Sequence, residues 1–146
     1  REVAEQNKDV QIIFPMHKNP LIRDLARESF KGIEDKVALI EPLEYVDFAN
    51  LMNKCYLIMT DSGGIQEEAP ALGKPVVVLR TETERPEAVK AGTVKLAGVE
   101  RNKIFEITNE LVIDDLEYHK MAHAINPYGD GKACERIVEL IVKHFE

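Results

Sequence analysis

Four short β-branched runs, Val10–Phe14, Val37–Ile40, Tyr56–Met59 and Val76–Leu79, recur along this chain with helix-length mixtures of polar and apolar residues between them. Nearly continuous apolar runs separated in this way are the pattern of buried parallel strands joined by crossover helices. The chain therefore reads as α/β, a parallel sheet flanked by helices. The first full intervening helix is predicted to open at Asn19–Pro20, to carry Ile22, Leu25, Ala26 and Phe30 at helical spacing, and to end at Gly32. The second spans Glu44–Lys54, with Tyr45, Phe48, Ala49 and Met52 as its inward stripe. The third runs Gly63–Leu72 and is stopped by Gly73 before Lys74–Pro75 leads back into the sheet. Beyond Leu79 the reading is a polar loop, Arg80–Gly92, a short strand, Thr93–Leu96, and then two or three helices. The last begins near Lys132 with Ala133, Ile137, Leu140, Ile141 and His144 on one face. Arg1–Asn7 reads as the tail of a helix feeding the first strand, so the chain is expected to begin inside a βα unit, without the start of its domain.

In open α/β sheets ligands bind outside the carboxyl ends of the strands, which directs attention to Pro15–Asn19, Glu41–Pro42, Thr60–Gly64 and Arg80–Arg85. The most constrained of these opens the third helix: Asp61-Ser62-Gly63-Gly64-Ile65-Gln66-Glu67-Glu68. A glycine in a helix costs roughly 1 kcal/mol relative to alanine, and two in the first turn point to close approach of a ligand. Without a Cβ at Gly63 and Gly64, a diphosphate can lie against the unpaired first-turn N–H groups, where the helix dipole also favours negative charge. Glu68 follows Gly64 by four residues and shares its face. Its two acceptor oxygens suit the adjacent hydroxyls of a ribose. The pattern suggests a nucleotide held by phosphates and sugar; the alternative is an ordinary helix capped by Ser62.

Composition narrows the partners. The chain has 146 residues with 45% hydrophobic content, the scale of one ordinary domain. A balance of 19 basic against 26 acidic residues, net −7, argues against nucleic acid and against a polybasic membrane surface. An anionic ligand must then be held by local donors. Cys55 and Cys134 show neither C-x-x-C nor metal spacing and read as packed thiols in a reducing cytoplasm. No apolar stretch reaches the length of a membrane span and Arg1–Val10 is charged, so neither a signal peptide nor an anchor is expected.

The remaining polar residues have plainer readings. His17 follows the first strand and is either a hydrogen-bonded loop residue or a general base. His119 and His123 make a pair without a completing carboxylate, and with exposed His144 they give no expectation of a metal. Glu67 points about 100° away from Glu68 and reads as solvated or part of a capping network. Asp61 is expected to cap the turn. Tyr128 and Asp130 are expected to shape a turn and cap the last helix. No G-x-G-x-x-G follows any strand, which disfavours NAD.

The stretch Thr60–Pro70, with Gly73-Lys74-Pro75-Val76, Thr83-Glu84-Arg85-Pro86-Glu87-Ala88 and Ala91-Gly92-Thr93, resembles the non-hydrolysing UDP-N-acetylglucosamine 2-epimerases. Pro15-Met16-His17-Lys18-Asn19-Pro20 and Asn126-Pro127-Tyr128-Gly129-Asp130-Gly131 are similar to two further segments of that family. The resemblance covers nearly the whole chain and implies the Rossmann-like C-terminal half, residues 1–146, of a two-domain GT-B-type protein, with the N-terminal domain absent. It implies that Ser62, Gly63 and Gly64 hold the UDP diphosphate, Glu68 the ribose hydroxyls, the Phe48 backbone the uracil, and Arg85 the nucleotide-sugar, and it adds a regulatory contact as a third reading of His17. On the residues alone, Arg85 could equally be a surface arginine paired with Glu84 or Glu87. Leu43 departs from the glutamine frequent in the family and cannot hydrogen-bond a base. The implied reaction interconverts UDP-GlcNAc and UDP-ManNAc through a glycal, without a redox cofactor. Catalytic acids and bases are expected outside this chain, which should bind better than it catalyses, and a homodimer is expected at full length. A GT-B glycosyltransferase and a non-catalytic nucleotide-binding module remain open alternatives.

Overall fold

The computed structural model describes residues 1–145. Its α/β character follows the predicted strand–helix rhythm, and all strand pairing among the described residues is parallel. The chain forms two compact units, Arg1–Leu51 and Met52 onward.

The first unit contains α1 (Glu2–Gln6), β1 (Ile12–Pro15), α2 (Pro20–Ser29), β2 (Val37–Ile40) and most of α3 (Tyr45–Lys54). Strands β1 and β2 pair in register from Ile12 with Val37 to Pro15 with Ile40. Asn19 caps α2 by accepting from the Leu21 N–H at 3.0 Å, and Pro20 takes the first-turn position where a missing N–H costs nothing. The predicted inward stripes are only partly buried: Ala26 is enclosed, whereas Leu25 is 64% exposed and Tyr45 of α3 67% exposed. A two-stranded sheet is too narrow to cover every apolar residue that helical spacing aligns. Lys36 ties α1 to the start of β2 by donating to the carbonyls of Ala4 and Asn7.

The second unit carries β3 (Ile58–Thr60), α4 (Gly63–Ala71), β4 (Val76–Val78), α5 (Pro86–Ala91), β5 (Val94–Leu96), α6 (Arg101–Ile113), α7 (Asp115–Ala122) and α8 (Ala133–Phe145). Its sheet has the order β3–β4–β5, so β4 is central. Val76, Val77 and Val78 are all fully buried. Side chains alternate between faces: Val76 and Val78 pack with Ala69, Ala88 and Val94, and Val77 packs with Ala97, Leu111 and Met121 on the opposite face. Helices α4 and α5 supply one cover and α6 and α7 the other. This double burial explains why β4 is uniformly apolar instead of alternating.

Three expectations change here. The segment read as a polar loop, Arg80–Gly92, contains α5, six residues started by Pro86 and ended by Gly92 at φ +80°. Its shortness hid the helical period. Tyr128 packs its ring against the Ala69–Val94 cluster, and burial pushes its phenol upward. It therefore does more than shape a turn. Cys55 is partly buried, which pushes its thiol up, but Cys134 at the start of α8 is exposed and is not a packed thiol. Every residue of α8 through Phe145 is exposed. Asp130 anchors its start, accepting from the Lys132 N–H at 3.1 Å and from both Arg136 Nη atoms at 2.9 and 2.7 Å.

Candidate functional site

Because β3 and β4 are paired in parallel with Thr60 opposite Val78, the loops leaving their carboxyl ends emerge side by side. The first loop turns directly into α4. Buried Thr60 shapes that turn by accepting from the Ser62 N–H at 3.0 Å, a role the sequence suggested for Asp61, which is exposed. Ser62 sits at the helix N-cap but makes no side-chain capping hydrogen bond. The plain serine-capped alternative is therefore not the arrangement adopted, and the first-turn amides are left without that acceptor.

The two glycines are not required by backbone conformation, since neither has a positive φ. A methyl group added to Gly64 would lie 3.7 Å from Glu68 Oε1 and 4.0 Å from Ser62 Oγ, ordinary contact distances. The same geometry places the Glu68 carboxylate over the glycine turn, as the four-residue spacing anticipated. A methyl on Gly63 would lie 2.7 Å from Glu84 Oε1 and 4.0 Å from Arg85 Nη2. The arginine loop thus closes over Gly63, and Ser62, Gly63, Gly64, Glu68 and Arg85 form one cluster on the second unit.

Arg85 is paired, but with Glu67 and not with either acidic neighbour in sequence. Its Nε–H donates to Glu67 Oε1, and that hydrogen bond holds the guanidinium above its ordinary pKa. Glu84 is instead engaged by Arg80. Glu67 is therefore the orienting partner of Arg85, a role that the 100° offset from Glu68 allows because it faces the neighbouring loop. A cleft of about 580 Å³ opens beside this cluster, lined by Leu79, the loop from Arg80 to Glu84 and Val99. None of the expected ligand-holding residues lines it.

Two residues overlooked in the sequence complete the cluster. Gln66 is fully buried; its Nε2 donates to the Ser62 carbonyl at 3.2 Å and its Oε1 accepts from the Thr83 hydroxyl at 2.6 Å. Thr83 in turn accepts from the Arg85 N–H at 3.1 Å. The available signal was that Gln66 shares the buried face of α4 with Ala69 and Pro70, and a buried amide demands partners.

The other two expected residues belong to the first unit. His17 Nδ1 accepts from the Asn19 N–H at 3.1 Å, and the His17 carbonyl accepts from Arg23 Nε at 3.3 Å. Arg23 also grips Glu41 with both Nη atoms, one at 2.8 Å, so it links the loops that follow β1 and β2. This hydrogen bond lowers the Glu41 carboxyl below its usual range. The Phe48 N–H is already used inside α3, donating to the Glu44 carbonyl at 2.9 Å. Leu43 is exposed just before that helix. Among the described residues no group of three or more histidine, cysteine or acidic side chains could hold a metal, and no helix is long and apolar enough to cross a membrane.

A glycine-opened βα turn, a carboxylate folded back over it and an arginine loop closed against it lie together at the carboxyl end of a parallel sheet, the place where Rossmann-like α/β units bind their ligands. The family model described as UDP-N-acetylglucosamine 2-epimerase matches residues 1–142, and the chain belongs to that family. A Thermotoga maritima protein is 54% identical over 145 residues, covering 99% of this chain and 38% of its own length. The Bacillus subtilis UDP-N-acetylglucosamine 2-epimerase is 52% identical over 145 residues, with 99% and 38% covered respectively. Among solved structures, UDP-GlcNAc 2-epimerase from Neisseria meningitidis bound to UDP-GlcNAc superposes with a TM-score of 0.92 at 48% identity, covering 97% of this chain and 38% of that one. The chain thus spans well under half the length of the relatives it matches.

Proposed function

We propose that this chain is the UDP-binding half of a UDP-GlcNAc 2-epimerase with a GT-B-type two-domain arrangement. The observation that carries the proposal is the Gly63–Gly64 turn, uncapped by Ser62 and flanked by Glu68 and Arg85, in a chain of this family. In this reading the amides of Ser62 to Gly64 receive the diphosphate, Glu68 the ribose hydroxyls and the Phe48 backbone the uracil. His17, which orders the loop after β1, has a regulatory contact as its role in this reading.

The reaction removes the C2 proton of the sugar while the anomeric C–O bond breaks, giving a glycal and UDP. UDP then adds back and C2 is reprotonated on the other face. Bond breaking builds negative charge on the diphosphate, and preorganised N–H donors aimed at that charge stabilise the transition state more than the ground state. Arg85 supports the same charge with a guanidinium that Glu67 holds in place. The acid and base come from residues outside this chain, and no redox cofactor is needed. We further propose that the full-length enzyme works in the cytoplasm as a homodimer.

The test is to incubate the full-length enzyme with UDP-GlcNAc and no acceptor. Appearance of UDP-ManNAc with exchange of the C2 proton for solvent deuterium is the expected result. Sugar transfer that depends on an added acceptor, with no C2 exchange, would replace the epimerase reading by a glycosyltransferase.

A further inference from the structure

The hydrogen bonds around Gln66 run in one direction with every group used once. The Thr83 hydroxyl oxygen accepts from the Arg85 N–H, so its own hydrogen is available to Gln66 Oε1. That contact orients the amide, leaving Nε2 to donate to the Ser62 carbonyl. The chain therefore begins on the residue that opens α4 and ends on the backbone of Arg85. It passes through a side chain with no solvent exposure, where a lost partner cannot be replaced cheaply by water.

We propose that Gln66 and Thr83 are positioning residues that lock the arginine loop to the glycine turn, so that the guanidinium and the first-turn amides address one diphosphate together. This rests on the reading that Ser62 to Gly64 and Arg85 hold the UDP diphosphate. Neither Gln66 nor Thr83 touches the ligand. Their contribution passes through Arg85, whose Nη2 lies 4.0 Å from the position a Gly63 methyl would take. Because the Gln66–Thr83 contact is the only side-chain bridge in the chain of bonds, Thr83→Val breaks it and Thr83→Ser restores it.

The experiment is a double-mutant cycle on the full-length enzyme, with UDP affinity from calorimetry and turnover of UDP-GlcNAc. Thr83→Val, which removes both hydrogen bonds of the hydroxyl, is expected to weaken UDP about 5- to 10-fold, a change the size of one net hydrogen bond, and Thr83→Ser to recover most of it. In an Arg85→Ala background the Thr83→Val effect should shrink below about twofold, since neighbours acting through one group are non-additive. An undiminished effect in that background would mean that Thr83 supports only the fold and would overturn the proposal, as would wild-type affinity in Thr83→Val. If Thr83→Val does not fold, amide exchange of the unmodified protein decides: the Arg85 N–H should be protected despite its loop position, and exchange at the rate of an open loop refutes the lock. Wild-type enzyme that fails to bind UDP at all removes the underlying site assignment, an outcome distinct from UDP binding that is indifferent to Thr83.

Discussion

Replacing Gly64 by alanine separates a ligand-driven glycine from a fold-driven one. The residue lies in the first turn of α4, has no positive φ, and a methyl there would meet only Glu68 Oε1 at 3.7 Å and Ser62 Oγ at 4.0 Å. Nothing in the protein resists the substitution. Alanine reduces the conformational freedom of the unfolded chain and favours the helix, a gain of about 0.5–1 kcal/mol. For a chain of 146 residues that raises Tm by roughly 1–4 °C. On the proposed site assignment, however, the methyl would occupy the surface that receives the diphosphate. Displacing even one charge-assisted hydrogen bond costs about 1.5–3 kcal/mol, so UDP affinity should fall by at least about tenfold. Scanning calorimetry and UDP titration on the same preparations give both numbers. The control is Gly73→Ala, where φ is +67° and the methyl would lie 3.3 Å from the Ala122 carbonyl oxygen; it should lower Tm, with a left-handed penalty of about 1–2 kcal/mol, and spare UDP affinity in the folded protein. A Gly64→Ala variant that binds UDP like the wild type would show that the first turn of α4 is not the diphosphate seat, whatever its stability.

Glu68→Ala should weaken UDP by about 1.5–3 kcal/mol, the range for hydrogen bonds to a charged group, and unchanged affinity by calorimetry removes Glu68 from the ribose. Arg85→Ala should lower turnover of the full-length enzyme more than it weakens UDP-GlcNAc binding, since its charge matters most as the diphosphate leaves; wild-type kcat returns Arg85 to a surface ion pair. The Arg23–Glu41 pair adds a pH signature. Arg23 lowers the Glu41 carboxyl by a hydrogen bond, so the native state binds a proton there less readily than the unfolded chain, and the stabilisation is present above the ordinary carboxylate range near about pH 4.3 and lost as pH falls through the native value. Thermal melts of Arg23→Gln and wild type should differ at neutral pH and converge below about pH 4, and parallel curves down to pH 3 would refute the linkage.

The strand rhythm was legible because β4 and its neighbours are apolar over whole runs, and the Gly-Gly turn was legible because two adjacent glycines at a helix start oppose helix propensity. The proximity of Glu68 to that turn followed from helical geometry alone. Helix α5 was not legible, since six residues between Pro86 and Gly92 hold too little periodicity to distinguish from a loop. The Glu67–Arg85 pair was not legible for a different reason: its members are 18 positions apart, and Glu84 and Glu87 stand nearer to Arg85 in sequence. Gln66 escaped because a polar residue on an apolar helical face reads as surface until its burial is known, and Thr83 because a loop residue has no periodicity that points to a partner. Thr60 escaped because a buried hydroxyl and an exposed carboxylate beside it are equally plausible caps on paper.

The three valines of β4 carry an implication for how the two loops come level. A frame shift of one residue, about 3.3 Å along the strand, would exchange valine for valine, so these side chains are nearly mute about alignment. The flanking residues speak instead. Sliding one way would bring the donorless nitrogen of Pro75 to the place where the Val76 N–H reaches the Thr93 carbonyl. Sliding the other way would push Leu79, seated with Val77 on one side, among the small alanines on the other. An imino acid and a single bulky neighbour thus act as end stops, and the accuracy with which the arginine loop meets Gly63 is inherited from them.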